Sequence, residues 1–585
     1  MINTRNLLTS VLLAATLATP FAGFAKGNTD DKAKNNSKLW PLFSEVHYEG
    51  SDSVFTQNPL KADEFYNPIL QGCYPDPSIC RRGNDYYLVC SSFVMFPGVP
   101  IFHSTDLVNW KQIGHVLDRD SQLKVGGGGT SNGIYAPTIR YNPHNKTFYM
   151  ITTQTTYMGN MMVKTTDPAK GWSDPINLHF NGIDPSIFFD DNGKAYIVHN
   201  DAPKEKKWNG HRAIKIWEYD VNTDQLVKGS DKIIVDGGTK LEKHPFWIEA
   251  PHLYKKDGKY YLMCAEGGTG DTHSEVVFVS DHVYGPYVEA PSNPILSQRY
   301  LDPNRKNKVE WAGHSDVVEG KDGKWYGVFL AVRPNADGHA TLGRETFILP
   351  VDWSGKWPLF ENGLIPLEPK LKMPKGVSNQ QGSLGFAACG NFGFTDKFTA
   401  DKLDYRWVGE RCNPIHFAYL ENAGKKGKKK NVGGVRIKPF ENNIEEKKAL
   451  SALWTRQLHH NFAFTTKLKY TPKSEKDLAG IACLQNRNAQ IVLGLTQKNG
   501  KSTLVLAKRW KDKTEVLDTK PVNGKAEIML QVKGNNDNFQ FAYSLDGTHF
   551  ENIGTTVKGD FLSTNMAGGF VGNMLGLYAT AKNNL

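Results

Sequence analysis

Between residues 64 and 350, short apolar runs alternate with polar turns, and the alternation repeats. Five phrases mark it: YPDPSI (74–79), YAPTIR (135–140), IDPSIF (183–188), EAPHLY (249–254) and GHSDVV (313–318). Each is followed by a polar turn and a strand-like run: NDYYLV (84–89), NKTFYMIT (145–152), NGKAYIVH (192–199), DGKYYLMC (257–264) and DGKWYGVF (322–329). Apolar runs of this length between Asn-, Asp- and Gly-containing turns predict antiparallel strand pairs. Aligned on Pro77, Pro137, Pro185, Pro251 and Ser315, the phrases step by 60, 48, 66 and 64 residues. A hairpin unit recurring at that period predicts a propeller with one blade per copy, five in all.

The pattern fades near ETFILPVDW (345–353), and the Pro-rich PLFENGLIPLEPKLKMP (358–374) predicts a linker or surface strap. From about 390, alternation returns without the phrase, in FAFTTKLKY (462–470), AQIVLGLTQ (489–497), STLVLAKRW (502–510), AEIMLQVKG (526–534), FQFAYSLDG (539–547) and MLGLYAT (574–580). Period two with Asn-Gly and Asp-Gly turns predicts an antiparallel sandwich. The expected architecture is all-β, a five-bladed propeller followed by a β-sandwich. Its segments are 1–25, 26–63 (disordered over 26–40, then a lead-in over 41–63), 64–355 (the propeller), 356–389 (linker or strap) and 390–585 (the sandwich).

Composition narrows the classes. The chain has 585 residues, enough for two or three domains, and its 55 Gly, 30 Pro and 11% aromatics suit short strands and tight turns. At the N-terminus, MINTR, the apolar LLTSVLLAATLA and small residues up to Ala25 predict a signal peptide and an exported, periplasmic or secreted protein without a membrane anchor. The net charge of +10 is concentrated in turns such as KKGKKK (425–430) and KEKK (204–207). With no basic helix or stacking platform beside them, these read as solvated loops, and no nucleic-acid partner is expected. The seven cysteines are odd in number and lack zinc-ligand spacing, so they read as small core residues.

Three of the phrases carry an acid: Asp76, Asp184 and Glu249. In a propeller, equivalent strand ends surround one axis, so these carboxyls are expected to converge at the mouth of a cavity. Convergent carboxyls are costly unless they do chemistry. One ionised carboxylate serves as a general base, one protonated carboxyl as a general acid, and a third tunes the second, which is the logic of an inverting glycosidase. Asp before Pro also caps ordinary turns, and the rival class is a non-catalytic carbohydrate-binding propeller.

The stretches 67–93, 96–119, 133–143, 182–201, 248–269 and 312–329 resemble glycoside hydrolase family 43. WTRQLHHNFAFTTKL (454–468) and GGFVGNMLGLYA (568–579) resemble the concanavalin A-like (jelly-roll) sandwich attached to β-xylosidase-like members, so the resemblance spans about 40–585. It implies an exo-acting, inverting enzyme that releases a terminal non-reducing α-L-arabinofuranose or β-D-xylose from plant hemicellulose. It implies Asp76 as general base, Glu249 as general acid and Asp184 as the residue that tunes and orients Glu249. It also implies that Phe93, Tyr135, His314, Arg344 and Phe570 bind substrate. No cofactor is required, although a structural Ca²⁺ near His314 is implied. Tyr135, where many relatives carry Trp, and Val94-Met95 are departures expected beside the pocket.

Overall fold

The computed structural model describes residues 38–378, 380, 388–421, 433–522 and 527–582. The expected signal peptide and the lysine run at 425–430 lie outside the described residues. Five antiparallel sheets succeed one another between Ser78 and Phe360. The first holds Ser78–Arg82, Asp85–Val89, Gly98–Ser104 and Lys111–Leu117 in that spatial order. The other four open with Ile134–Asn142, Ile183–Phe189, Glu249–Lys256 and Glu310–Glu319. In every sheet the recurring phrase supplies the first strand and its sequel the second.

These sheets close on themselves. Their first strands touch in a cycle, the fifth returning to the first. Apolar clusters fill the gaps between consecutive sheets: Val89 with Met150, Ile151 with Ile197, Val198 with Leu262, Met263 with Phe329, and finally Val328 with Leu88. Each sheet is covered on both faces, which is why the sequels are apolar runs rather than strict alternations. Halfway down the axis, Asp316 ties four sheets together. It accepts from both Nη atoms of Arg140 (2.6 and 2.7 Å), Ser78 Oγ (2.6 Å), Ile79 N (3.0 Å) and Tyr254 Oη (2.6 Å).

The C-terminal part is a sandwich of an eight-stranded and a six-stranded sheet around one apolar core. All six expected strands are present. Ser451–Arg456, Leu478–Asn486, Lys513–Pro521 and Glu551–Lys558 join them. One expectation is corrected here. The presumed lead-in contributes Leu42–Ser51 to the eight-stranded sheet, where it pairs with Asn461–Lys469. Phe43, Val46 and Tyr48 from it are fully buried, so the sandwich core is incomplete without the chain's beginning. Lys370–Lys372, in the segment expected as a linker or strap, pairs with Glu64–Tyr66.

The two parts share a seam. Gly409–Glu410 pairs with Met95–Phe96, and Val94 and Met95 pack with Trp454 and Met574. Val94-Met95 was expected beside the pocket. Instead it is buried in this seam, because the apolar pair serves the sandwich interface. Six of the seven cysteines are buried.

Candidate active site

At one end of the axis the first strands depart from regular β geometry. Asp76, Ala136, Asp184, Ala250 and His314 all have positive φ (54, 37, 54, 49 and 54°), and the first four immediately precede Pro. Register shifts occur at the same points in the second to fifth sheets. A positive φ in a non-Gly residue costs about 1–2 kcal/mol, and bulges turn side chains away from the ladder. Here they re-aim the phrase residues toward the axis. Asp76 and Asp184 occupy the equivalent positive-φ position, whereas Glu249 stands one residue earlier in phase. The shared position in the fourth sheet belongs to Ala250.

All eight residues singled out in the sequence line one cavity of about 370 Å³: Asp76, Asp184, Glu249, Phe93, Tyr135, His314, Arg344 and Phe570. The aromatic wall is continuous. Tyr135 meets Phe93 edge-on at 5.8 Å and Phe570 at 5.9 Å. Phe570 comes from the sandwich, and its backbone N–H donates to Ser131 Oγ (2.8 Å) in the propeller.

The three acids lie in different electrostatic environments. Burial pushes the Asp76 carboxyl up, but Arg344, His314 and the Ser91 hydroxyl outweigh it and hold its pKa below the ordinary aspartate value. Arg344 Nη1 lies 2.6 Å from Oδ1, Ser91 Oγ donates to Oδ2 at 2.5 Å, and His314 Nδ1 is 3.6 Å from Oδ1. Asp184 is raised well above its ordinary value, first by burial and then by the charges of Glu249 and Asp76. Burial raises Glu249 to about 7, against a hydrogen bond from Trp247 and the pull of Arg344 and Arg212. Asp184 and Glu249 therefore titrate as a pair that retains a proton near neutrality, while Asp76 is ionised.

Several contributors escaped sequence reading. Trp247 Nε1 donates to Glu249 Oε2 at 2.6 Å, and the Arg212 guanidinium lies 4.6 Å from the Trp247 ring. An indole N–H is donor-only, so it holds Oε2 as an acceptor and leaves Oε1 to carry a proton. No local periodicity marks Trp247, which stands outside the strand that opens at Glu249 and has a positive φ (57°). Ser91 also went unread, within CSSF. Arg344, expected on the sugar, rests on Asp76 here, and Glu345 pairs with Arg333. Among the described residues no three His, Cys, Asp or Glu side chains are grouped to hold a metal ion, so His314 would hold a Ca²⁺ only with water oxygens completing its shell.

Residues 65–358 match the family described as Glycosyl hydrolases family 43, and residues 395–584 match the β-xylosidase C-terminal concanavalin A-like domain. A xylosidase/arabinosidase of Butyrivibrio fibrisolvens is 38% identical over 540 residues, covering 88% of this chain and 96% of that protein. A non-reducing end α-L-arabinofuranosidase of Bacteroides ovatus is 33% identical, covering 89% and 92%. Among solved structures, a GH43_12 protein retrieved from capybara gut metagenome is 52% identical with a TM-score of 0.87, covering 92% of this chain and 99% of that one.

Proposed function

The chain belongs to glycosyl hydrolases family 43, and on that premise we propose an exo-acting, inverting glycosidase that removes a terminal non-reducing pentose from hemicellulose oligosaccharides. The sugar is α-L-arabinofuranose or β-D-xylose. The relatives named for these two sugars support the class, and the arabinofuranosidase of Bacteroides ovatus favours arabinose. The apolar run at the N-terminus supports export. One observation carries the catalytic reading: a single cavity holds an ionised Asp76 and a proton-bearing Asp184–Glu249 pair. A sugar-binding protein needs no such separation of ionisation states.

The roles follow. Asp76 removes a proton from water as the water oxygen bonds to the anomeric carbon. Glu249 gives its proton to the glycosidic oxygen as the bond to that oxygen breaks. Asp184 keeps Glu249 protonated, and Trp247 keeps Oε2 out of the transfer. The Phe93–Tyr135–Phe570 wall accommodates the ring of one terminal sugar. Hydrolysis of the two nitrophenyl pentosides side by side, with the first-formed anomer read by NMR, tests the reading. Release of the inverted sugar from at least one is expected. Inertness toward both, or retention of configuration, would overturn it.

A further inference from the structure

Two exposed aromatic side chains stand at the rim of the cavity. Phe570 is 37% exposed and Phe246 is 46% exposed. They occupy chemically different sides. Phe570 belongs with the Asp76 group: its carbonyl accepts from Arg344 Nη2 (3.3 Å), and Arg344 is also paired with Asp76. Phe246 belongs with the Glu249 group. It directly precedes Trp247, the donor to Glu249, and the two rings are 6.0 Å apart. In a displacement with inversion, the attacking water and the departing glycan lie on opposite faces of the sugar. The water is on the side of Asp76, so the departing glycan is on the side of Glu249, Trp247 and Phe246.

From this arrangement we infer that Phe246 is the platform of a subsite for the departing glycan, stacking on the first sugar ring beyond the scissile bond. The inference rests on the glycosidase reading above. Phe246 is built to be rigid. A Cβ at Gly268 would lie 2.9 Å from its ring, and one at Gly210 would collide with it. Both glycines have positive φ (68 and 81°). The backbone is held as well: Gly267 N donates to Phe246 O (2.8 Å), and Trp247 N donates to Gly210 O (2.9 Å). An aromatic face fixed in place at a cavity rim offers apolar contact to the C–H face of a sugar with little ordering cost. No family phrase covers Phe246, and an exposed apolar side chain so tightly clamped has no evident role in packing.

The test compares leaving groups of different size. Phe246→Ala is assayed on pentose-terminated oligosaccharides and on the β-D-xylosyl and α-L-arabinofuranosyl fluorides, whose departing fluoride fills no sugar subsite. Expected is a loss of kcat/KM of about tenfold on oligosaccharides with the fluorides unchanged. Phe246→Tyr should restore the oligosaccharide rate. Phe246→Leu keeps apolar packing between the glycines but lacks the ring, and should also lose oligosaccharide activity. Equal losses on both substrate kinds, or none on either, would overturn the platform. A wild-type protein inert toward all these substrates would instead overturn the glycosidase reading.

Discussion

The waist and the mouth of one axis hold buried carboxyls with opposite behaviour. At the waist, Asp316 is fully buried and receives five hydrogen bonds, two of them from the Arg140 guanidinium. Burial pushes its pKa up, yet Arg140, His252 and Ser78 drive it well below the ordinary value. At the mouth, Glu249 is almost as buried but receives a side-chain bond from Trp247 alone, and its pKa rises. Burial is common to both sites, and the charges beside each carboxyl decide the sign: the Arg140 guanidinium faces Asp316, whereas the negative charge of Asp76 adds to the burial of Glu249. A satisfied carboxylate ties sheets together. A poorly satisfied one holds a proton that it can give away.

The largest expected effect separates the acids within the mouth. Asp76→Asn should lower kcat by about 10²–10⁴ on every substrate, since all require the activated water. Glu249→Gln should show a loss of that order on oligosaccharides but spare glycosides with good leaving groups. Steady-state rates on both substrate kinds decide it, and equal loss for Glu249→Gln would remove it from the role of acid.

Stability should separate waist from mouth. Asp316→Asn leaves Arg140 buried without its partner and should cost about 3–5 kcal/mol in urea unfolding. Glu249→Gln should cost nothing and stabilise progressively as pH rises. The sign follows from linkage. The folded pKa of Glu249 is raised, so its contribution is complete below the unfolded value of about 4.3 and is lost as pH climbs toward 7. The folded pKa of Asp316 is lowered, so its contribution is complete at neutral pH and is lost on acidification. Unfolding curves for wild type and Glu249→Gln that stay parallel from pH 5 to 8 would contradict the raised pKa.

Smaller shifts sharpen the mouth itself. Asp184→Asn leaves Glu249 to titrate alone rather than as one half of a pair that shares a proton, so Glu249 should ionise at lower pH and the basic limb of kcat/KM should move down. Trp247→Phe removes a donor that favours ionised Glu249, so the same limb should move up, by less than the Asp184 effect and with KM little changed. Shifts of the same sign in the two variants would break the assignment of either Asp184 or Trp247.

Much of this was legible along the chain. Phrase and sequel predicted the first and second strands of all five sheets. Asp76, Asp184 and Glu249 stood out because they fall at nearly one phase of the repeat, and Phe93, Tyr135, His314, Arg344 and Phe570 because their flanking residues resemble a known family. Trp247, Phe246 and Ser91 were missed, since their importance lies in what they touch. Leu42–Ser51 was misjudged because a strand that completes a distant sheet leaves no local sign of its partners.

The sequence by itself determined the β character, the repeat, the two-part organisation and the identity of the acids, because these follow from local periodicity and residue type. Tertiary structure alone decided which acid is ionised. Proton affinity depends on burial and on the donors within a few ångströms, and Arg344, Trp247 and Ser91 reach those acids only when the ring of sheets closes.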